Sequence, residues 1–204
     1  MMFTSNKVIN LGSAAFRQWR STHSHCQYIH GYNLTANITF ESDELDERNW
    51  VMDFGGLKEL KKTLEHTFDH KLVVASDDPE IELFKQLDEA NVAKIVILPT
   101  GVGCERFAEF VLKTADTYVD EVTNGRVRVR SVQINEHGSN FATCYRNSNT
   151  PVNITVTSSE DEPTTETFNN TPTSSPVDPG NTAAPVGKTT TSTKGNWFSG
   201  TTWG

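Results

Sequence analysis

An α+β domain over residues 1–146, followed by a low-complexity tail over residues 147–204, is the architecture this sequence predicts. Three observations carry the prediction. Leu34, Ala36, Ile38 and Phe40 alternate with Asn33, Thr35, Asn37 and Thr39, the period of a half-buried strand. Leu57, Leu60, Leu64 and Phe68 recur at the spacing of one helix face. Composition then changes abruptly near Arg146, where aliphatic residues give way to Thr, Ser, Asn and Pro.

Taken in order, the run Lys7 to Trp19 pairs with the strand Asn33 to Glu41 as a hairpin, joined by the polar loop Arg20 to Cys26. Asp53 supplies a side-chain acceptor to cap the first helix. Asp78-Pro79 starts a second, shorter helical stretch, because proline is tolerated in a first turn. Ala93 to Leu98 reads as a short apolar strand or buried segment. Phe107, Val111, Thr114 and Tyr118 mark a third helix, stopped near Asn124-Gly125. In the return strand Val127 and Val129 share one phase while Val132, Ile134 and Glu136 share the other. The change of phase at Arg130-Ser131 predicts a bulge. Asn140 to Arg146 completes a second hairpin.

Six of the eight prolines fall in residues 147–204, so that segment cannot bury enough apolar surface to offset its ordering entropy and reads as disordered. Its last residues differ, with Trp197, Phe198 and Trp203 among glycines. A floppy end and a short docking motif are the two readings of that tip. The net charge of −8 argues against a nucleic-acid surface, which needs a basic stripe. The apolar run around Ile95 to Leu98 is too short to span a membrane. The start Met1-Met2-Phe3-Thr4-Ser5-Asn6 shows no secretory signal. Three widely spaced cysteines suit free thiols in a reducing cytoplasm.

The chemistry concentrates between Ser24 and Tyr32, where Cys26 lies among His23, His25 and His30. A nearby imidazolium raises the thiolate fraction of a cysteine, and these surroundings favour a reactive thiol over a small buried hydrophobe. Asp69-His70 closes the first helix as a carboxylate–imidazole pair. By itself that pattern reads as a histidine favoured by the helix dipole. Glu136 stands on the apolar side of its strand and needs a partner there, or else it is an ordinary strand-end acid.

Cys26-x-x-x-His30-Gly31, Asp53-Phe54-x-x-Leu57-Lys58, Asp69-His70, Pro99-Thr100 and Glu136-x-x-x-Asn140-x-Ala142-x-x-Tyr145 occur in one order. Over residues 7–146 the chain resembles the 6-pyruvoyl-tetrahydropterin synthase / 6-carboxytetrahydropterin synthase family. The resemblance implies a tunnelling fold (T-fold): a four-stranded antiparallel sheet with helices on one face. Several subunits, six by resemblance, close their sheets into a barrel. It implies that Cys26 transfers protons, activated by Asp69 and His70 of a neighbouring subunit, and that Glu136 holds a pterin ring with help from Thr100. Glu105 is a weaker candidate beside them. The implied substrate is 7,8-dihydroneopterin triphosphate. The implied product is 6-carboxytetrahydropterin on the route to 7-deazaguanine (queuosine-type) nucleosides, or 6-pyruvoyl-tetrahydropterin. The family also binds zinc through three histidines, in Ala-Ala-His and His-Gly-His. Here those patterns read Ala14-Ala15-Phe16 and His30-Gly31-Tyr32. Only His30 keeps a ligand position, and His25 and His23 are either replacement ligands or surface residues. Loss of the metal would leave a pterin-binding or scaffold protein.

Overall fold

In the computed structural model residues 1–147 are described. The predicted tail, with its aromatic tip, lies outside the described residues. Two long strands carry the sheet. β1 (Phe3–Phe16) and β2 (His30–Ser42) pair antiparallel, with Phe3 opposite Ser42 and Phe16 opposite His30. Alternation buries Leu34, Ala36, Ile38 and Phe40 of β2 completely. In β1 the register slips between Asn10 and Gly12, so the buried set changes phase from Ile9 and Leu11 to Ala14 and Phe16.

Four further strands extend this hairpin on both sides, giving the order β4-β3-β1-β2-β5-β6. β5 (Arg128–His137) and β6 (Asn140–Tyr145) add antiparallel beside β2. Thr39 faces Ser131 and Phe40 faces Val129, which leaves Arg130 as the extra residue of the predicted bulge. β3 (Lys71–Ala75) and β4 (Ile95–Leu98) add in parallel beside β1. The expected four-stranded antiparallel sheet is therefore a six-stranded mixed sheet.

α1 (Lys58–Phe68) and α3 (Cys104–Val122) cover one face, where Leu60, Leu64 and Phe68 meet Phe107, Val111, Ala115 and Val119 over the β1–β2–β5 core. Rings link this layer: Phe107 lies 5.0 Å from Phe16 and 5.2 Å from Phe68, both edge-on. α2 (Ile81–Glu89) corrects the expectation that all helices share one face. Its Phe84 packs with Leu72, Val74 and Ile95 in a separate cluster, while Val73, between them on β3, belongs to the main core. Alternate residues of a strand point to opposite faces, so α2 covers the other side of the β3–β4 edge. The sheet's far end is tied down by Arg146, whose guanidinium binds the buried Asp116 of α3. Asp116 also accepts the Val129 amide at 2.9 Å.

Candidate active site

The turn from β1 into β2 is built by anchors at its start. Arg17 forks onto the buried Asp78 (Nε–Oδ2 2.9 Å, Nη2–Oδ1 2.5 Å) and stacks over Phe84 at 5.4 Å. Arg20 and the Trp19 indole both donate to Asp77, at 2.7 and 3.3 Å. The Gln18 amide then donates to the Cys26 carbonyl at 2.8 Å and closes the loop. Cys26 sits mid-way in a single 3₁₀ turn, His25–Gln27, and its amide donates to Ser24 Oγ at 3.2 Å. The thiol-bearing residue is half-buried, whereas His23 and His25 are exposed.

Just beyond, three side chains meet on the helix-covered face of the hairpin. Phe16 and His30 are direct cross-strand partners, and Tyr32 follows two residues along the same face. Ring centroids lie 4.7 Å apart for Phe16–His30, 5.7 Å for His30–Tyr32 and 6.3 Å for Phe16–Tyr32. His30 Nδ1 is 2.8 Å from the Tyr28 carbonyl and must donate to it, which leaves Nε2 as the acceptor nitrogen. Gly31 lets the two strands close up here, since a Cβ at that position would stand 2.8 Å from the Ala14 carbonyl oxygen.

Electrostatics tie this face to β5 and to the start of α3. Burial raises the Tyr32 phenol above its ordinary range, and the charges of Glu136, Cys26 and Cys104 raise it further. Cys104, the first residue of α3, is pushed up to about 12 by burial, then by the charge of Glu136 and a hydrogen bond to its carboxylate. Glu136 is thus the charge that, after burial, most opposes ionisation of the Cys104 thiol. Gln18 leans on the same helix start, where Gly103 holds φ 113° and any Cβ would overlap the Gln18 amide. The Thr100 hydroxyl is buried nearby in sequence, on the loop into α3, without a hydrogen-bond partner among the described residues. Glu105 is exposed.

Asp69 and His70 form a separate unit. Asp69 Oδ1 takes the His70 Nδ1 at 2.9 Å and the Ser13 amide at 3.0 Å, and the His70 amide donates to the Ser13 carbonyl at 2.7 Å. The Ser13 bond, with the neighbouring imidazole, holds the Asp69 carboxyl below the usual carboxylate range. His70 adopts φ 57°, a left-handed conformation uncommon outside glycine. Its ring is 85% exposed. Among the described residues no hydrogen bond joins this pair to Cys26.

Among the described residues no three His, Cys, Asp or Glu side chains are grouped to hold a metal ion. His23 and His25, expected as replacement ligands, point into solvent while His30 packs between Phe16 and Tyr32. The donor set for a zinc ion with about three protein ligands is not assembled.

Residues 12–147 match the family model of 6-pyruvoyl tetrahydropterin synthase. The chain belongs to the 6-pyruvoyl tetrahydropterin synthase family. Among curated relatives, the 6-carboxy-5,6,7,8-tetrahydropterin synthase of Rickettsia typhi is 34% identical over 84 residues, 41% of this chain and 59% of that protein. The enzyme of the same name from Bacillus subtilis is 30% identical over 122 residues, 60% of this chain and 71% of that one. The chain thus spans about three-fifths of the length of the Rickettsia relatives. An uncharacterized protein from Wolinella succinogenes shares the fold with a TM-score of 0.62 at 18% identity, covering 72% of this chain and 99% of that one. A 6-pyruvoyltetrahydropterin synthase from Plasmodium vivax does so at 0.53 and 16%, covering 72% and 99%. Of the described residues, no helix is long and apolar enough to cross a membrane.

Cys104 is the site residue that sequence reasoning passed over. Its only signal was a thiol opening a helix, and its partner Glu136 arrives a whole helix and strand later.

Proposed function

We propose that this domain is a lyase of the 6-carboxytetrahydropterin synthase type, acting on 7,8-dihydroneopterin triphosphate in the supply of 7-deazaguanine precursors. The supporting observation is that Glu136, Cys26 and Cys104 all lie near enough to Tyr32 for their charges to raise its phenol. The Glu136 carboxylate accepts the paired N–H groups of the pterin's guanidine-like edge, as it would accept an arginine. Burial and the Glu136 charge keep the nearby Cys104 thiol protonated. The unpaired Thr100 hydroxyl supplies a further polar contact to the ring. Cys26 moves the side-chain proton. Asp69 holds His70 in one tautomer and presents the imidazole outward, where a neighbouring subunit of a homo-oligomer would place its own Cys26.

The test is incubation of purified protein with 7,8-dihydroneopterin triphosphate, with chromatographic identification of the products. Appearance of 6-carboxytetrahydropterin is expected, and it should vanish in Cys26→Ala while pterin binding persists. Appearance of 6-pyruvoyl-tetrahydropterin would assign the sister activity. A second reading, a pterin-binding homologue without turnover, is favoured by the Phe16–His30–Tyr32 rings at the positions where the family carries zinc. Calorimetric pterin binding with no product from either route would establish it.

A further inference from the structure

We propose that the Phe16–His30–Tyr32 cluster is a metal-free replacement of the family's zinc centre, one that keeps the backbone frame of that centre and has turned its interior into aromatic core. Cross-strand pairing of Phe16 with His30, and the two-residue step to Tyr32, bring the three positions onto one face with their rings in mutual contact. The frame for three converging ligands is therefore intact. Its contents are not those of a metal site.

Phe16 is fully buried and continues edge-on into Phe107, which meets Phe68 in turn. The ring stack thus runs from the hairpin into the main core, and at the Phe16 position a cation would meet an apolar ring in place of a donor. Tyr32 supplies a phenol, a weak zinc ligand beside imidazole or thiolate. His30 keeps the arrangement of a metal-ligating histidine: its Nδ1–H is held by the Tyr28 carbonyl and its Nε2 is left as the acceptor. One ligand with its outer support has survived on a frame whose other two positions have become apolar or phenolic.

This inference stands independently of the reaction proposed above, because its readout is metal content. Elemental analysis of full-length protein produced in zinc-supplemented medium is expected to show only trace zinc, unchanged in His30→Ala. The double variant Phe16→His, Tyr32→His restores three imidazoles on the frame and is expected to bind zinc stoichiometrically. Cobalt(II) added to it in place of zinc should give tetrahedral ligand-field absorption. Stoichiometric zinc in the wild type, lost in His30→Ala, would overturn the proposal. So would a double variant with native circular dichroism that takes up no metal. Because Phe16→His removes a buried ring and the double variant risks misfolding, the wild-type and His30→Ala measurements decide the main claim by themselves.

Discussion

Cys104 is a thiol on which two environments compete. A helix start lowers a thiol's pKa, whereas burial and an adjacent carboxylate raise it. The raising side wins, taking the group from an ordinary value of 9.0 to about 12. The folded chain thus keeps this proton where the unfolded chain releases it. The associated stability is complete below about pH 9 and drains away as pH climbs toward 12. Melting temperatures measured from neutral into alkaline buffer should therefore fall more steeply for wild type than for Cys104→Ala, and parallel curves would deny the coupling. Glu136 tests the other side of that interaction. Glu136→Gln exchanges one acceptor for a donor and leaves a pterin N–H unpaired, which should weaken binding by roughly 1–3 kcal/mol in calorimetry. Cys26→Ala should leave that affinity unchanged while abolishing turnover in the same preparation.

At the scale of elements, the bulge in β1 does work that reaches Asp69. Gly12 holds φ 86°, and a Cβ there would overlap the Asp69 carboxylate that receives the Ser13 amide. Gly12→Ala should destabilise the fold by about 1–3 kcal/mol from backbone strain alone. It should also release His70 from its anchored orientation, read as a lower denaturant midpoint and a shifted His70 imidazole resonance. The β5 bulge was legible in the sequence because Val127 and Val129 fall out of phase with Val132 and Ile134, and all four are buried. The β1–β2 hairpin and the three helices were legible for the same reason: each has one wet face. β3 was not. Leu72, Val73, Val74 and Ala75 are all buried, with one face on the main core and the other on the α2 cluster, so no alternation marks the strand. The site divides likewise. Local clusters such as Cys26 with its histidines stand out in a sequence, but whether those histidines converge depends on loop conformation. The joining of Cys104 to Glu136 depends on strand order, which spacing does not encode.

For the whole molecule, the described core closes on itself by residue 146, where Arg146 seals β6 to α3 through Asp116. A chain ending at residue 149 is therefore expected to melt with the full-length protein, and a markedly lower melting temperature would show that later residues support the fold. The strand order has a consequence for how the molecule is made. The hairpin at the centre of the sheet comes from residues 3–42, and the strands flanking it on either side are synthesised after it. Its turn is a local contact, whereas β3 must cross over to pair in parallel and α3, the principal cover of its apolar face, begins only at Cys104. The nascent chain thus carries a paired ribbon with two open edges until β3 is made, and an apolar face covered only in part by α1 until α3 is complete. Substitutions in the β1–β2 hairpin should slow refolding, while those in α2 or β6 should mainly hasten unfolding. Recruitment of a holdase chaperone is expected to peak at chain lengths between the end of β2 and the end of α3.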